Sequence, residues 1–305
     1  MKRVLVTGAG GFIGRHCLPL LAGGGYDVHA VSTRARPQGP NGITWHCADL
    51  LDDRQREALV EAVRPTHLLH LAWYTEPGKY WSAPENFRWV RASLALAESF
   101  AAAGGRRLVA AGTCAEYDWR YGYCSEAVTP LAPATTYGRC KDALRALLEA
   151  LAAQTGMSVA WGRVFFLYGP YEQPGRLVSS VAASLVRGQP ALCSHGNQIR
   201  DFLHVEDVAG AFVALLESDV AGAVNIASGD PVRLQELIFG LADLLGRRDL
   251  VQLGAVATAP DEPRLLVANV GRLRDEAGWH PRYDRERGLA QTLAWWQNRI
   301  ERESA

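Results

Sequence analysis

The sequence predicts an α/β fold: a doubly wound parallel sheet with a smaller, interleaved α/β lobe. Three observations carry that expectation. Short β-branched runs alternate with helical runs up to residue 165 or so, a pattern that calls for parallel strands with helices on both faces. A glycine-rich turn, TGAGGFIG (Thr7–Gly14), directly follows the first of these runs. Beyond Gly169 the order interleaves: Arg200–Gly229 reads as a return to the large unit, whereas Pro170–Ile199 and Pro231–Ala305 read as the small one. The expected division is therefore 1–169 with 200–230, and 170–199 with 231–305. A chain of 305 residues fits about two domains and can bury roughly three quarters of its extended surface.

Taken in order, Met1–Thr7 (MKRVLVT) reads as the opening strand and Arg15–Ala22 as the first helix, with Gly8, Gly11 and Gly14 between them. A strand, a tight turn and a helix N-terminus aim backbone N–H groups and the positive end of a helix dipole at a pyrophosphate. The spacing is Gly-x-x-Gly-x-x-Gly, with Phe12 and Ile13 inside it and Gly10 extra, and departs from Gly-x-Gly-x-x-Gly. Its place in the chain still predicts a Rossmann-type dinucleotide site.

The second strand, Asp27–Ser32, ends where a carboxylate would bond the adenosine ribose 2′-OH and repel a 2′-phosphate. Here stand Ser32, Thr33 and Arg34, with Arg36 close behind and no acid. Hydroxyls and a bidentate guanidinium suit a phosphate, so NADP(H) is the expected cofactor ahead of NAD. The alternative is that Arg34 and Arg36 are solvated loop residues and NAD is used. Asp49 and Leu50, in HCADL, are expected to face the adenine, and Leu71 and Ala72, ending the strand Thr66–Ala72, to line the cofactor's path.

Further helices are expected at Gln55–Val63, Pro84–Ala103, Tyr137–Thr155, Leu177–Arg187, Val205–Leu216 and Leu234–Leu245. Tyr137 and Lys141, four residues apart on one of them, share a face with Cβ atoms about 5–6 Å apart. A phenol is a poor base at neutral pH, and a neighbouring ammonium together with the cationic nicotinamide is expected to favour its ionised form. Thr113 ends the strand Arg107–Thr113, where its hydroxyl can hold a reacting oxygen. Thr113, Tyr137 and Lys141 are thus the candidate catalytic residues, for hydride transfer at a carbinol or carbonyl carbon. The loop Trp73–Trp81 (WYTEPGKYW) is packed with aromatics that either close over a ligand or cap the core.

TGAGGFIG, HLAW (His70–Trp73), GTCAEY (Gly112–Tyr117), the Tyr137–Lys141 pair, RVFFLYGP (Arg163–Pro170), IRDFLHVEDVA (Ile199–Ala209), VNIASG (Val224–Gly229) and GWHP (Gly278–Pro281) follow one another in a familiar order. Over nearly its full length the chain resembles an extended short-chain dehydrogenase/reductase of the nucleotide-sugar epimerase/dehydratase/reductase branch. The resemblance implies chemistry on a nucleoside-diphosphate hexose, with Arg200 gripping the diphosphate and Arg176 and Leu177 wrapping the nucleoside; Arg264 is a further candidate, or a surface ion pair. It also implies a homodimer through helices 84–103 and 137–155, both apolar around much of their girth.

Departures from the family pattern narrow the reaction. Cys114 and Ala115 stand where dehydratases carry an Asp-Glu pair, which argues against elimination. The Cys114 thiol could transfer protons, but a small buried hydrophobe is the preferred reading. Phe166 replaces an Asn that is frequent in the family. The expected activity is an NADPH-dependent 4-ketoreductase of an NDP-4-keto-6-deoxyhexose, with Tyr137 as proton donor. The alternative is an NDP-sugar 4-epimerase holding NAD tightly. An inactive NADP-sensing regulator on this fold would be expected to lack Tyr137 or Lys141.

Net charge is +0, and of 32 basic residues only Lys2, Lys79 and Lys141 are lysines; the scattered arginines give no nucleic-acid patch. No apolar run reaches membrane-spanning length, and the N-terminus reads as a strand with no leader. Six cysteines, at 17, 47, 114, 124, 140 and 193, form no CxxC or zinc spacing, so no metal and a reducing, cytoplasmic setting are expected.

Overall fold

The computed structural model describes residues 2–35, 42–259 and 262–304, so Arg36 lies outside the described residues. Strands β1 (Arg3–Thr7), β2 (Asp27–Ser32), β3 (Ile43–Cys47), β4 (His67–His70) and β5 (Arg107–Thr113) begin the large sheet. Past β6 (Tyr123–Cys124), it is completed by β7 (Ser158–Val164) and, after β8 (Phe166–Tyr168), β9 (Ala191–Leu192) and β10 (Ile199–His204), by β11 (Gly222–Ile226). The order is β11-β7-β5-β4-β1-β2-β3 with every pairing parallel, a Rossmann-type sheet. Between β1 and β4 the strand order reverses, and connections leave on opposite faces. A crevice opens at the carboxyl ends of strands at such a switch point.

The sequence of β1 accounts for both faces. Val4 and Val6 point into a core closed by α1 (Gly14–Gly23) and α6 (Val205–Glu217), through Cys17, Leu21, Phe212 and Leu215. Leu5 points the other way, into a core closed by α2 (Asp53–Val63), α3 (Glu85–Ala102) and α4 (Thr136–Thr155), through Leu59, Leu96, Phe100 and Leu144. Alternate side chains leave opposite faces of a strand, so a strand covered on both faces carries a continuous apolar run. Capping fixes where the helices start: Asp52 accepts the Gln55 N–H at α2, and Thr135 accepts the Gly138 N–H at α4.

A second sheet runs β12 (Pro231–Arg233), β10, β14 (Leu265–Ala268), β6, with β8 also on β10. Val205–Ile226 returns to the large sheet through α6 and β11, whereas Ile199–His204 belongs to this second one. Helices α5 (Leu177–Val186), α7 (Leu234–Leu245) and α8 (Arg285–Ser304) build the smaller lobe around Val181, Leu185, Leu237, Leu293 and Trp296. Helix α8 was not among those expected. Its charged ends hide the stripe Leu289, Leu293, Trp296 that faces the lobe's core. Strand β13 (Val251–Gln252) pairs with β9.

Candidate active site

The switch point is tied by one hydroxyl. Thr7 Oγ1 lies 2.7 Å from His70 Nδ1 and accepts the N–H groups of Leu71 and Ala72, holding the end of β1 against the chain leaving β4. On its far side His70 Nε2 meets Ser93 Oγ at 2.8 Å, and burial pushes its imidazole down to about 3, so the ring is neutral.

The glycines then approach the backbone closely. Gly8 has φ +65, and a Cβ there would lie 2.8 Å from Ala72 N; a Cβ on Gly14 would lie 2.3 Å from Gly8 O. With Gly11 N–H bonded to Gly8 O, the turn presents bare backbone to the crevice. Two cavities share Gly8, Gly11 and Ala72: one of about 340 Å³ reaching Ser32, Thr33, Arg34 and Leu50, and one of about 290 Å³ reaching Thr113, Tyr137 and Lys141. Phe12, Ile13, Gly14 and Leu71 line the second. A cradle with no room for a Cβ, between a polar end and an acid–base end, fits a dinucleotide. Asp49 stands apart: it is exposed and accepts the Leu51 N–H in its own turn, leaving Ala48 and Leu50 on the wall.

Thr113 caps the short 3-10 turn Cys114–Glu116: its Oγ1 accepts the Ala115 N–H, and its own N–H donates to Glu116 Oε1 at 2.8 Å. Glu116 is fully buried and held by Arg163 at 2.7 Å and by the Trp161 indole N–H at 2.9 Å. That anchor was missed, although Thr113-x-x-Glu116 is a capping-box pattern legible in the sequence. Thr113 shares the cleft wall with Tyr137, in the first turn of α4, and Lys141 lies one turn further on.

The expected coupling of amine to phenol is not what the geometry provides. Lys141 Nζ donates to Ala111 O at 2.8 Å and lies 3.8 Å from the centre of the Trp73 ring. Burial, opposed by Glu116, lowers its amine to about 7. Burial and then Tyr80 hold the Tyr137 phenol above its ordinary value, with the Thr113 hydroxyl opposing. The reason is that Lys141 spends its proton on a carbonyl and its charge on an indole face instead of on the phenol.

The aromatic loop lies partly on the cleft wall and partly in a buried aromatic cluster. Trp73, Thr75 and Tyr80 are on the cleft wall, and Tyr80 meets the Tyr137 ring edge-on at 4.9 Å. Trp81 accepts the Tyr137 N–H through its carbonyl and packs against the same ring.

Other candidates sit differently from one another. Arg176 is on the wall, 5.6 Å from the Tyr80 ring centre, while Leu177 opens α5 and packs into the small lobe. Arg200 is buried on β10, paired with Glu262 at 2.9 Å over the Phe166 ring, and is not on the cleft wall; the ion pair satisfies a guanidinium that β10 draws inward. Arg264 is exposed. Phe165 and Leu167 face the cleft, and Phe166 packs on Phe202. Cys114 is buried with Tyr117, Cys124 and Leu266, and burial pushes its thiol up, as suits a small hydrophobe.

Sheet order, glycine cradle and the Thr113–Tyr137–Lys141 set define a dinucleotide-dependent α/β enzyme. A profile of the NAD dependent epimerase/dehydratase family matches residues 4–227, and the chain belongs to that family. It is 28% identical to UDP-glucose 4-epimerase of Azospirillum brasilense, over 98% of this chain and 93% of that protein. It is 26% identical to UDP-glucuronic acid decarboxylase 1 of Xenopus tropicalis, over 99% of this chain and 74% of that protein. Among solved structures, MoeE5 in complex with UDP-glucuronic acid and NAD is 30% identical, with a TM-score of 0.83 and 100% of both chains covered.

Proposed function

We propose that the chain exchanges a hydride at C4 of a nucleoside-diphosphate hexose, as an NDP-sugar 4-epimerase. The observation that carries this reading is one cleft wall bearing Thr113, Tyr137 and Lys141, with a buried thiol and a methyl group at Cys114 and Ala115 where an eliminating enzyme needs acid and base. A bound nicotinamide supplies the hydride acceptor and donor. Thr113 holds the reacting oxygen beside Tyr137. Tyr137 must start as the phenolate to take the C4 hydroxyl proton as the carbinol is oxidised; the resulting phenol, the form burial favours, returns that proton to the oxygen when the carbonyl is reduced again. Arg176, on the cleft wall, supplies a guanidinium for a phosphate of the substrate. Full-length likeness to a 4-epimerase and to an NAD-bound relative supports the choice of reaction and of NAD.

A second reading, the NADPH-dependent 4-ketoreductase of an NDP-4-keto-6-deoxyhexose, is favoured by one feature. Ser32, Thr33 and Arg34 line the adenosine end with no carboxylate among them. Two assays separate the readings. Epimerisation of UDP-glucose or UDP-glucuronic acid with no added reductant supports the first. Loss of NADPH absorbance on adding dTDP-4-keto-6-deoxyglucose, with no epimerisation, replaces it with the second. In that case Arg34→Ala should weaken NADPH far more than NADH.

A further inference from the structure

A carboxyl group stands on the same cleft wall, and the chemistry above gives it no task. Glu172 is 4% exposed and lines the cleft with Thr113, Tyr80 and Tyr137. Its placement is built. The Ser179 N–H donates to Glu172 Oε2 at 3.0 Å, and the Ser179 hydroxyl binds the carbonyls of Gln173 and Arg176, stitching the loop to the first turn of α5. The preceding residue, Tyr171, has φ +72, a left-handed conformation uncommon for a bulky side chain. Its ring lies 4.1 Å from the Arg15 guanidinium carbon and 5.0 Å from the Trp295 ring centre, contacts that hold the strained turn. The turn sends Tyr171 outward and Glu172 inward.

Buried carboxyl oxygens normally find donors. Among the described residues only Ser179 donates to Glu172, and only to Oε2, which leaves Oε1 without a donor on a residue that lines the cleft. Burial, with Arg176 opposing, pushes the carboxyl up to about 8, so at neutral pH it can donate as well as accept.

We propose that Glu172 determines substrate specificity by hydrogen-bonding, through its open oxygen, a ring hydroxyl of the hexose. This rests on the nucleotide-sugar reading given above. A site built to bond a hydroxyl discriminates because a sugar lacking it leaves the buried group unpaired.

The test is calorimetric titration of NAD-loaded protein with UDP, UDP-glucose, UDP-glucuronic acid and dTDP-glucose. Glu172→Leu should weaken the tightest sugar nucleotide about tenfold while its parent diphosphate changes by less than about twofold, as for one lost hydrogen bond. Glu172→Gln, which keeps a donor and an acceptor, should stay within about threefold of wild type. Glu172→Ala replaces the leucine variant if that fails to fold. Equal weakening of sugar nucleotide and diphosphate, or no weakening, overturns the inference alone, leaving Glu172 as a brace for α5. Wild-type protein that binds none of the four overturns the nucleotide-sugar reading and this inference with it.

Discussion

Lys141 is held where burial disfavours its charge, and that has a measurable consequence. Its folded value, about 7, lies below the 10.5 of a free lysine. Between those values the unfolded chain binds the proton more tightly, so this residue makes stability rise with pH through that window and costs most below it. Lys141→Met should therefore raise the melting temperature of cofactor-free protein relative to wild type, by more at pH ~6.5 than at pH ~10, while abolishing turnover. An equal difference at both pH values would contradict the assignment. Tyr137→Phe should cut turnover by about 10²–10⁴ with cofactor affinity nearly intact, as measured by steady-state rates and nucleotide titration. At this scale the identities of Thr113, Tyr137 and Lys141 were legible, because a strand end and a four-residue helical spacing are local patterns. The pairing of the lysine with Ala111 and Trp73 was not, since it depends on how two distant segments pack.

The glycine turn shows the same contrast for elements. Strand, turn and helix could be read in order because each has its own period and punctuation. Helix α8 could not, because its apolar stripe is narrow and its ends are charged, and β10, read with the large unit, pairs in the second sheet because strand partners are non-local. The turn itself yields a prediction. Gly14→Ala puts a methyl group into Gly8 O, so NAD affinity measured by fluorescence titration should fall sharply. Affinity unchanged from wild type would mean the cradle does not hold the pyrophosphate.

For the molecule as a whole, two arrangements matter: how the lobes frame the cleft, and how chains associate. No helix among the described residues is long and apolar enough to cross a membrane. Helices α3 and α4 pack side by side and leave Phe87 and Leu147 exposed, 64% and 42%, and we expect a homodimer through them. Light scattering should give twice the 33.2 kDa chain mass, and Leu147→Arg should reduce it to one chain. A wild-type monomer would rule the pairing out.

If Thr113, Tyr137 and Lys141 serve a hydride exchange at the hexose C4, the hydrogen at that carbon must leave and return to it. The most direct test is to incubate the enzyme and NAD with UDP-glucose and UDP-glucuronic acid deuterated at C4, and to follow the label by NMR. The expected product is a 4-epimer that keeps deuterium at C4, formed by wild type and nearly absent with Tyr137→Phe. Turnover that leaves the C4 configuration untouched and exchanges hydrogen elsewhere on the ring, or a tyrosine variant as fast as wild type, would contradict the exchange at C4.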